Sequence, residues 1–199
     1  MKKLAITIML SLGLVVGAQA GDAASGKKLS GACAACHSQD GNSAAPSFPK
    51  IAGLGEVYLL KQLKEFKSGA RNNPIMAGQV AALNESQLAD LAAYFASQTR
   101  SIGYAAKDKV ALGEKTYRGG NRATGVPACL ACHGAQGRGI EAAGFPALGG
   151  QHGAYVKAQL VAFQEDKRTN DASKVMRDIA GRMSNKEIDA VSAYIQGLH

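Results

Sequence analysis

The four cysteines of this 199-residue chain fall into two frames of one pattern, Cys33-Ala-Ala-Cys36-His37 and Cys129-Leu-Ala-Cys132-His133. Cys-x-x-Cys-His is the attachment pattern of c-type haem. A helical turn sets the two thiols where they can add across the two vinyl groups of one haem, and the adjoining imidazole then faces the iron as proximal ligand. Other uses of the thiols compete. Two structural disulfides would suit an exported protein, but they leave both histidines without a role. A single zinc held by two Cys-x-x-Cys knuckles calls for roughly 15–20 residues between them, whereas 92 separate Cys36 from Cys129. A thioredoxin-like pair needs a βαβ setting, and the flanks read as helix and Gly-rich loop. Two covalently bound haem c groups use every residue of both frames: Cys33, Cys36, Cys129 and Cys132 as attachment points, His37 and His133 as iron ligands.

The two frames belong to a duplicated unit. A shift of 97 aligns Phe48-Pro49 with Phe145-Pro146, Gly53 with Gly150, Tyr58 with Tyr155, Gln62-Leu63 with Gln159-Leu160, Phe66 with Phe163, Arg71 with Arg168 and Asn73 with Asn170. Three more residues then enter the second copy, and a shift of 100 pairs Met76 with Met176, Leu91 with Val191 and Ala93-Tyr94 with Ala193-Tyr194. Each copy reads as helix, haem motif, loop, helix, loop, helix, with no convincing strand. In the first, a Gly/Pro loop runs over 41–55 and a helix over 56–67, where Leu59, Leu60, Leu63 and Phe66 recur at helical spacing. The last helix begins at Asn84 in the first copy and at the capping box Ser184-x-x-Glu187 in the second. An all-α chain of two units follows, 21–106 and 107–199, the boundary lying in the polar stretch from Thr99 to Lys107.

Residues 1–20 stand apart. Lys2 and Lys3 precede a charge-free run from Leu4 to Gly17 that ends in Ala18-Gln19-Ala20, the pattern of a secretory signal cleaved after Ala20. The apolar run has 14 residues, short of the roughly 20 that span a bilayer. Without this leader the net charge falls from +8 to +6, as +2 over 21–106 and +4 over 107–199. Glu165, Asp166, Asp171 and Asp178 lie among the bases, so no basic face for nucleic acid is expected.

The second axial ligand separates electron transfer from small-molecule chemistry. The remaining donors are His152, His199, Met76, Met176 and Met183. Met76 and Met176 are partners in the repeat and fall in the loop between the second and third helices. Met183 pairs with Leu83 and reads as core filler. His/Met ligation favours reduced iron and leaves no position for oxygen or peroxide, which describes an outer-sphere electron carrier. The carbonyls of Pro49 and Pro146 are candidate acceptors for the second imidazole N–H, unless the prolines only stiffen their loops. Arg71 and Arg168 are candidates for haem propionates, or solvated arginines. Tyr94 and Tyr194 read as packing residues with outward hydroxyls.

Several stretches resemble the cytochrome c4 family, the dihaem class I c-type cytochromes of Gram-negative bacteria: Asn72-Asn73-Pro74-Ile75-Met76, Tyr117-Arg118-Gly119-Gly120, Gly125-Val126-Pro127-Ala128-Cys129, Phe145-Pro146-Ala147-Leu148-Gly149-Gly150-Gln151 and Ala193-Tyr194-Ile195-Gln196-Gly197-Leu198. The resemblance covers the whole chain after the leader. It implies two class I cytochrome c domains related by a pseudo-twofold, with His37 and Met76 on the first iron and His133 and Met176 on the second. It also implies a periplasmic monomer carrying electrons from an upstream quinol-oxidising complex toward a terminal cytochrome oxidase, with peripheral attachment to the inner membrane. One departure stands out: Ser173-Lys174-Val175, not Pro-Ile, precedes Met176. A dihaem peroxidase is the competing class, and it would need one iron able to open. A haem-based gas sensor would need an output domain for which no residues remain.

A unit of about 85 residues with few aromatics has a thin core, and small domains commonly need a covalent or metal staple. Haem provides an apolar plate for the helices. Chain produced without haem attachment is therefore expected to lose most of its helical circular-dichroism signal and its cooperative unfolding transition.

Overall fold

The structure is a computed structural model that describes residues 21–199. The expected secretory signal lies outside the described residues. Ten α-helices follow one another: α1 Ala23–Leu29, α2 Gly31–His37, α3 Glu56–Ser68, α4 Pro74–Val80, α5 Glu85–Ala96, α6 Lys107–Gly119, α7 Leu130–His133, α8 Gly153–Gln164, α9 Val175–Ala180 and α10 Asn185–Gln196. Among the described residues there is no β-strand, only two isolated antiparallel bridges, Asn121 with Val126 and Ile140 with Phe145.

The first half, α1 to α5, packs α5 against both α1 and α3; the second, α6 to α10, packs α10 against both α6 and α8. The N-terminal and C-terminal helices of each half cross at a glycine. A Cβ on Gly26 would collide with the carbonyl of Asp90 in α5, and a Cβ on Gly113 with the carbonyl of Ala190 in α10; Tyr94 and Tyr194 lie beside these crossings. The absent side chain is what lets each pair of backbones touch.

The terminal helices start as capping boxes in both halves. The Ser184 side chain accepts from the Glu187 N–H while the Glu187 carboxylate accepts from Ser184 N–H, and Asn84 and Gln87 make the same exchange. Only the serine box is obvious in sequence, because Asn and Gln are weaker signals of the motif. Glu187 is held below the usual carboxylate range, first by the Ser184 N–H.

The copies differ where residues are inserted. In the first, α1 passes directly into α2 through Ser30. In the second, the stretch from Asn121 to Val126 folds back on itself between α6 and α7, the two residues exchanging backbone hydrogen bonds at 2.8 and 3.0 Å. The methionine loops expected from the sequence also contain short helices, α4 and α9, so Met76 and Met176 are helical residues.

The second half has one continuous core, with Tyr117, Ile188, Val191 and Ile195 almost fully enclosed and Met183 only 4% exposed. The first half has two clusters, one around Leu59, Leu91 and Phe95 and another around Phe66, Val80 and Leu88. Leu60, Leu63 and Leu83 pack against both.

Gly113→Ala is expected to destabilise the protein by about 2 kcal/mol or more, since overpacking here meets backbone rather than a movable side chain. Gly119→Ala, in the same helix with nothing within 4 Å of its Cβ position, is expected to be neutral or slightly stabilising. Urea unfolding of the two haem-loaded variants makes the comparison.

Candidate functional site

Each haem motif ends its helix on the histidine. His37 closes α2 and His133 closes α7, and both are buried, at 7% and 8% exposure. Nδ1 of His37 lies 2.8 Å from the carbonyl oxygen of Pro49, and Nδ1 of His133 lies 2.9 Å from that of Pro146. A carbonyl can only accept, so Nδ1 carries the proton in both rings and Nε2 keeps its lone pair. Burial holds both imidazoles below the usual histidine range, against the opposing pull of the proline carbonyls. A neutral imidazole with one nitrogen fixed and the other free is the form a metal takes. The prolines thus do more than stiffen their loops.

The backbone just after each motif is held by a tyrosine, at the second residue beyond His37 and the first beyond His133, and the two halves use different ones. The Tyr94 hydroxyl in α5 donates to the Gln39 carbonyl at 2.8 Å, and the Tyr117 hydroxyl in α6 donates to the Gly134 carbonyl at 2.7 Å. The sequence reading of Tyr94 as pointing outward is corrected: its hydroxyl ties α5 to the loop behind the motif. Tyr117 has no tyrosine partner in the repeat, so internal symmetry gave no cue to it. Burial pushes the Tyr117 hydroxyl well above the usual tyrosine range.

All four cysteines are unpaired and half-buried. Burial raises the Cys33 thiol and pushes that of Cys129 up to about 11. Cys33 packs on the Leu59 cluster and Met76 on the Phe66 cluster, with Leu60, Leu63 and Leu83 common to both, while Cys129 and Met176 pack on the one core of the second half. In each half one attachment thiol and the methionine-bearing helix thus share apolar surroundings, and each histidine ring meets a phenylalanine, His37 with Phe48 and His133 with Phe145. These residues fit a covalently held haem. Among the described residues no three His, Cys, Asp or Glu side chains form a metal-binding group, which leaves the shared-zinc alternative without a donor set.

The helices carrying Met76 and Met176 start differently. Pro74 opens α4, and the Asn73 side chain caps it by accepting from the Met76 N–H at 3.0 Å. Asn170, the repeat partner of Asn73, instead reaches Gln62 and Glu65 in α3. Its capping role passes to Asp171, whose carboxylate accepts from the Arg177 N–H at 3.0 Å and from Arg177 Nε at 2.7 Å. The chain enters α9 through Ser173 and Lys174, both left-handed with φ of 52° and 60°, a conformation costly to residues with a Cβ. The missing Pro-Ile is thus replaced by a strained turn and a carboxylate cap.

Arg71 and Arg168 are neither solvated nor free. Arg71 donates to Gln62 of its own half and to Tyr155 and Gln159 of the other; Arg168 donates to Gln159 of its own half and to Tyr58 and Gln62 of the other. Each guanidinium also lies over a phenylalanine, 4.6 Å from the Phe66 ring centre and 4.5 Å from that of Phe163. Every contact in this set has its repeat-related counterpart, as an isologous interface requires.

Residues 23–99 and 110–199 each match the family model described as cytochrome c. The chain is 53% identical to cytochrome c4 of Pseudomonas aeruginosa, the alignment covering 100% of both chains. It is 40% identical to a thiosulfate dehydrogenase electron acceptor of Stutzerimonas stutzeri, over 82% of this chain and 77% of that one. The crystal structure of reduced recombinant cytochrome c4 from Pseudomonas stutzeri superposes with a TM-score of 0.89 at 49% identity, over 90% of this chain and 100% of that one.

Arg71→Ala would leave Gln62, Tyr155 and Gln159 short of a donor and is expected to cost about 1–3 kcal/mol. In a double-mutant cycle with Tyr155→Phe, urea unfolding should give a coupling of at least about 0.5 kcal/mol, and the pair Arg168→Ala with Tyr58→Phe should match it.

Proposed function

This chain belongs to the cytochrome c family and carries two covalent haem c groups for electron transfer, and we propose that it is a periplasmic single-electron carrier whose irons are ligated by His37 with Met76 and by His133 with Met176. The observation that carries the reading is the matched environment of the two histidines, each neutral, buried and anchored through Nδ1 to a proline carbonyl. The haem supplies a one-electron couple. The chain's contribution is to hold that couple nearly still.

Each anchored imidazole presents Nε2 in a fixed direction, so the ring needs no reorientation when the charge on its partner changes. The thioethers of Met76 and Met176 are soft donors that favour the reduced state. Held by Met76 and Met176 as well as by the histidines, the irons would offer no open position to peroxide or oxygen, which sets this reading against the dihaem-peroxidase alternative. Ile75 and Val175, immediately before the two sulfurs, are 63% and 44% exposed, so the ligand-bearing helices reach the surface where a redox partner would approach.

In this reading 21–106 and 107–199 act as one haem unit each, Cys33 with Cys36 and Cys129 with Cys132 forming the thioethers, after cleavage of the leader at Ala20. The partners are an upstream quinol-oxidising complex and a terminal oxidase, met at the inner-membrane surface. The relative named as a thiosulfate dehydrogenase electron acceptor supports a dehydrogenase as a further donor.

Met76→Ala and Met176→Ala are each expected to remove about half of the near-red absorbance of methionine-bound ferric haem, to lower one midpoint potential, and to let carbon monoxide bind one reduced haem. The unaltered protein should show the full band and no peroxidase turnover above that of free haem. Rapid carbon monoxide binding by the unaltered reduced protein would sink the proposal.

A further inference from the structure

The two sulfur-bearing helices are held alike at their far ends and differently at their starts. Beyond α4, Lys67 of α3 donates to the carbonyl of Leu83. At the end of α9, Gln164 of α8 donates to the carbonyls of Ala180 and Met183 at 3.0 and 2.9 Å. Lys67 and Gln164 are repeat partners, and so are Leu83 and Met183. What separates the copies therefore lies in the approach to each helix.

In the first half that approach is relaxed. Over the described residues 69–73 only Gly69 is left-handed, with φ of 81°, an angle that glycine adopts freely. Pro74 then opens α4 with a backbone angle already suited to a helix, and the Asn73 cap falls on the amide of Met76 itself.

In the second half three residues with a Cβ are left-handed on the way to α9. Asp166 stands at the repeat position of Gly69, and Ser173 and Lys174 follow, the three having φ of 52°, 52° and 60°. Such angles persist only where surrounding contacts impose them. Here the contacts converge on one residue. Both oxygens of the Asp171 carboxylate accept from Arg177, one from its amide and one from Nε, and Arg177 Nη1 reaches Asp166 at 3.5 Å. The Asp171 side chain is 5% exposed and that of Arg177 18%, so the pair is shielded from water, where a charge-assisted bond is strong. Burial works to raise the Asp171 carboxyl, but the amide and guanidinium of Arg177 hold it below the usual carboxylate range.

We propose that Asp171, gripping Arg177, is the positioning residue for the Met176 sulfur, and that the second iron is in consequence the one from which a small neutral nitrogen ligand displaces sulfur more readily. This rests on the axial ligation given above. Moving either methionine aside requires the first turn of its helix to open locally. Opening α9 relaxes Ser173 and Lys174, and the strain released offsets part of the cost. Opening α4 releases no such strain and breaks a cap on the methionine's own amide. The two irons thus differ in ligand exchange although their donor atoms are the same.

Imidazole added to the ferric, haem-loaded protein is the probe, and the near-red band of methionine-bound haem is the readout. The unaltered protein should lose the band in two steps of equal amplitude. Asp171→Ala should tighten the first step about fivefold or more, the scale of a lost helix cap, and Asp171→Asn, which keeps an acceptor for the Arg177 amide, should fall between. Ser173→Gly, which takes the left-handed angle without strain, should weaken the same step. Asn73→Ala should move only the second step. Steps that stay put in Asp171→Ala while urea stability falls would reduce the ion pair to a support of the fold. A first step that follows Asn73→Ala instead of Asp171→Ala would put the weaker sulfur on the first iron, and loss of both sulfurs together, or of neither, would equally overturn the proposal. Met176→Ala separates the two readings: an undiminished band in that variant would indict the ligation itself, whereas a halved band with unmoved steps in Asp171→Ala would indict Asp171 alone. Should Asp171→Ala fail to fold, Asp171→Asn and Ser173→Gly, with opposite expected signs, decide the matter.

Discussion

Each buried imidazole is held by one hydrogen bond from Nδ1 to a proline carbonyl, and much of the fold serves to keep that carbonyl in place. In the first half Pro49 lies in a loop whose end is pinned by Gly53 N–H on the carbonyl of Phe95. In the second, Gly150 N–H makes the same bond to Ile195. Both acceptors are in the terminal helices, so packing of α5 and α10 fixes the tautomer of the two histidines. In the proposed ligation a core contact thereby becomes a redox property: a ring that does not turn costs little reorganisation when an electron arrives.

Duplication sets the plan, and the departures from it show which features the function needs. Capping of the methionine helix survives although its agent changes from Asn73 to Asp171. The tether behind the motif survives although the tyrosine comes from α5 in one half and α6 in the other. Stabilisation at these points is a matter of satisfying a particular backbone group, and any side chain that reaches it will serve. The route into α9 is the costlier solution, with Ser173 and Lys174 both left-handed, and it gives the second proposed sulfur ligand a different support from the first.

The junction between the halves is polar and positive where one between two small domains might have been greasy. Arg71 and Arg168 trade partners across it, Gln151 exchanges two hydrogen bonds with the backbone of Lys50 at 2.9 and 2.7 Å, and His152 meets Ser43. Directional bonds fix one relative orientation, whereas apolar surfaces tolerate sliding. For a chain that holds two haems, a single orientation keeps the two halves in a single relation.

Haem attachment, the duplication and the helical pattern were all present in the order of residues, because covalent chemistry and periodicity are local properties that survive in one dimension. The thiols must stand one turn apart, and an amphipathic helix must repeat its leucines at helical spacing, wherever the rest of the chain goes. Sequence also offered the proline carbonyls as one of two readings, and geometry chose. The tertiary structure alone decided what depends on segments about a hundred residues apart: that Arg71 and Arg168 face each other's half, and that Tyr117 replaces a symmetry-related tyrosine. Hydrogen-bond partners of a long, flexible cation are set by which carbonyls the folded backbone brings within about 3 Å, and no local pattern encodes that.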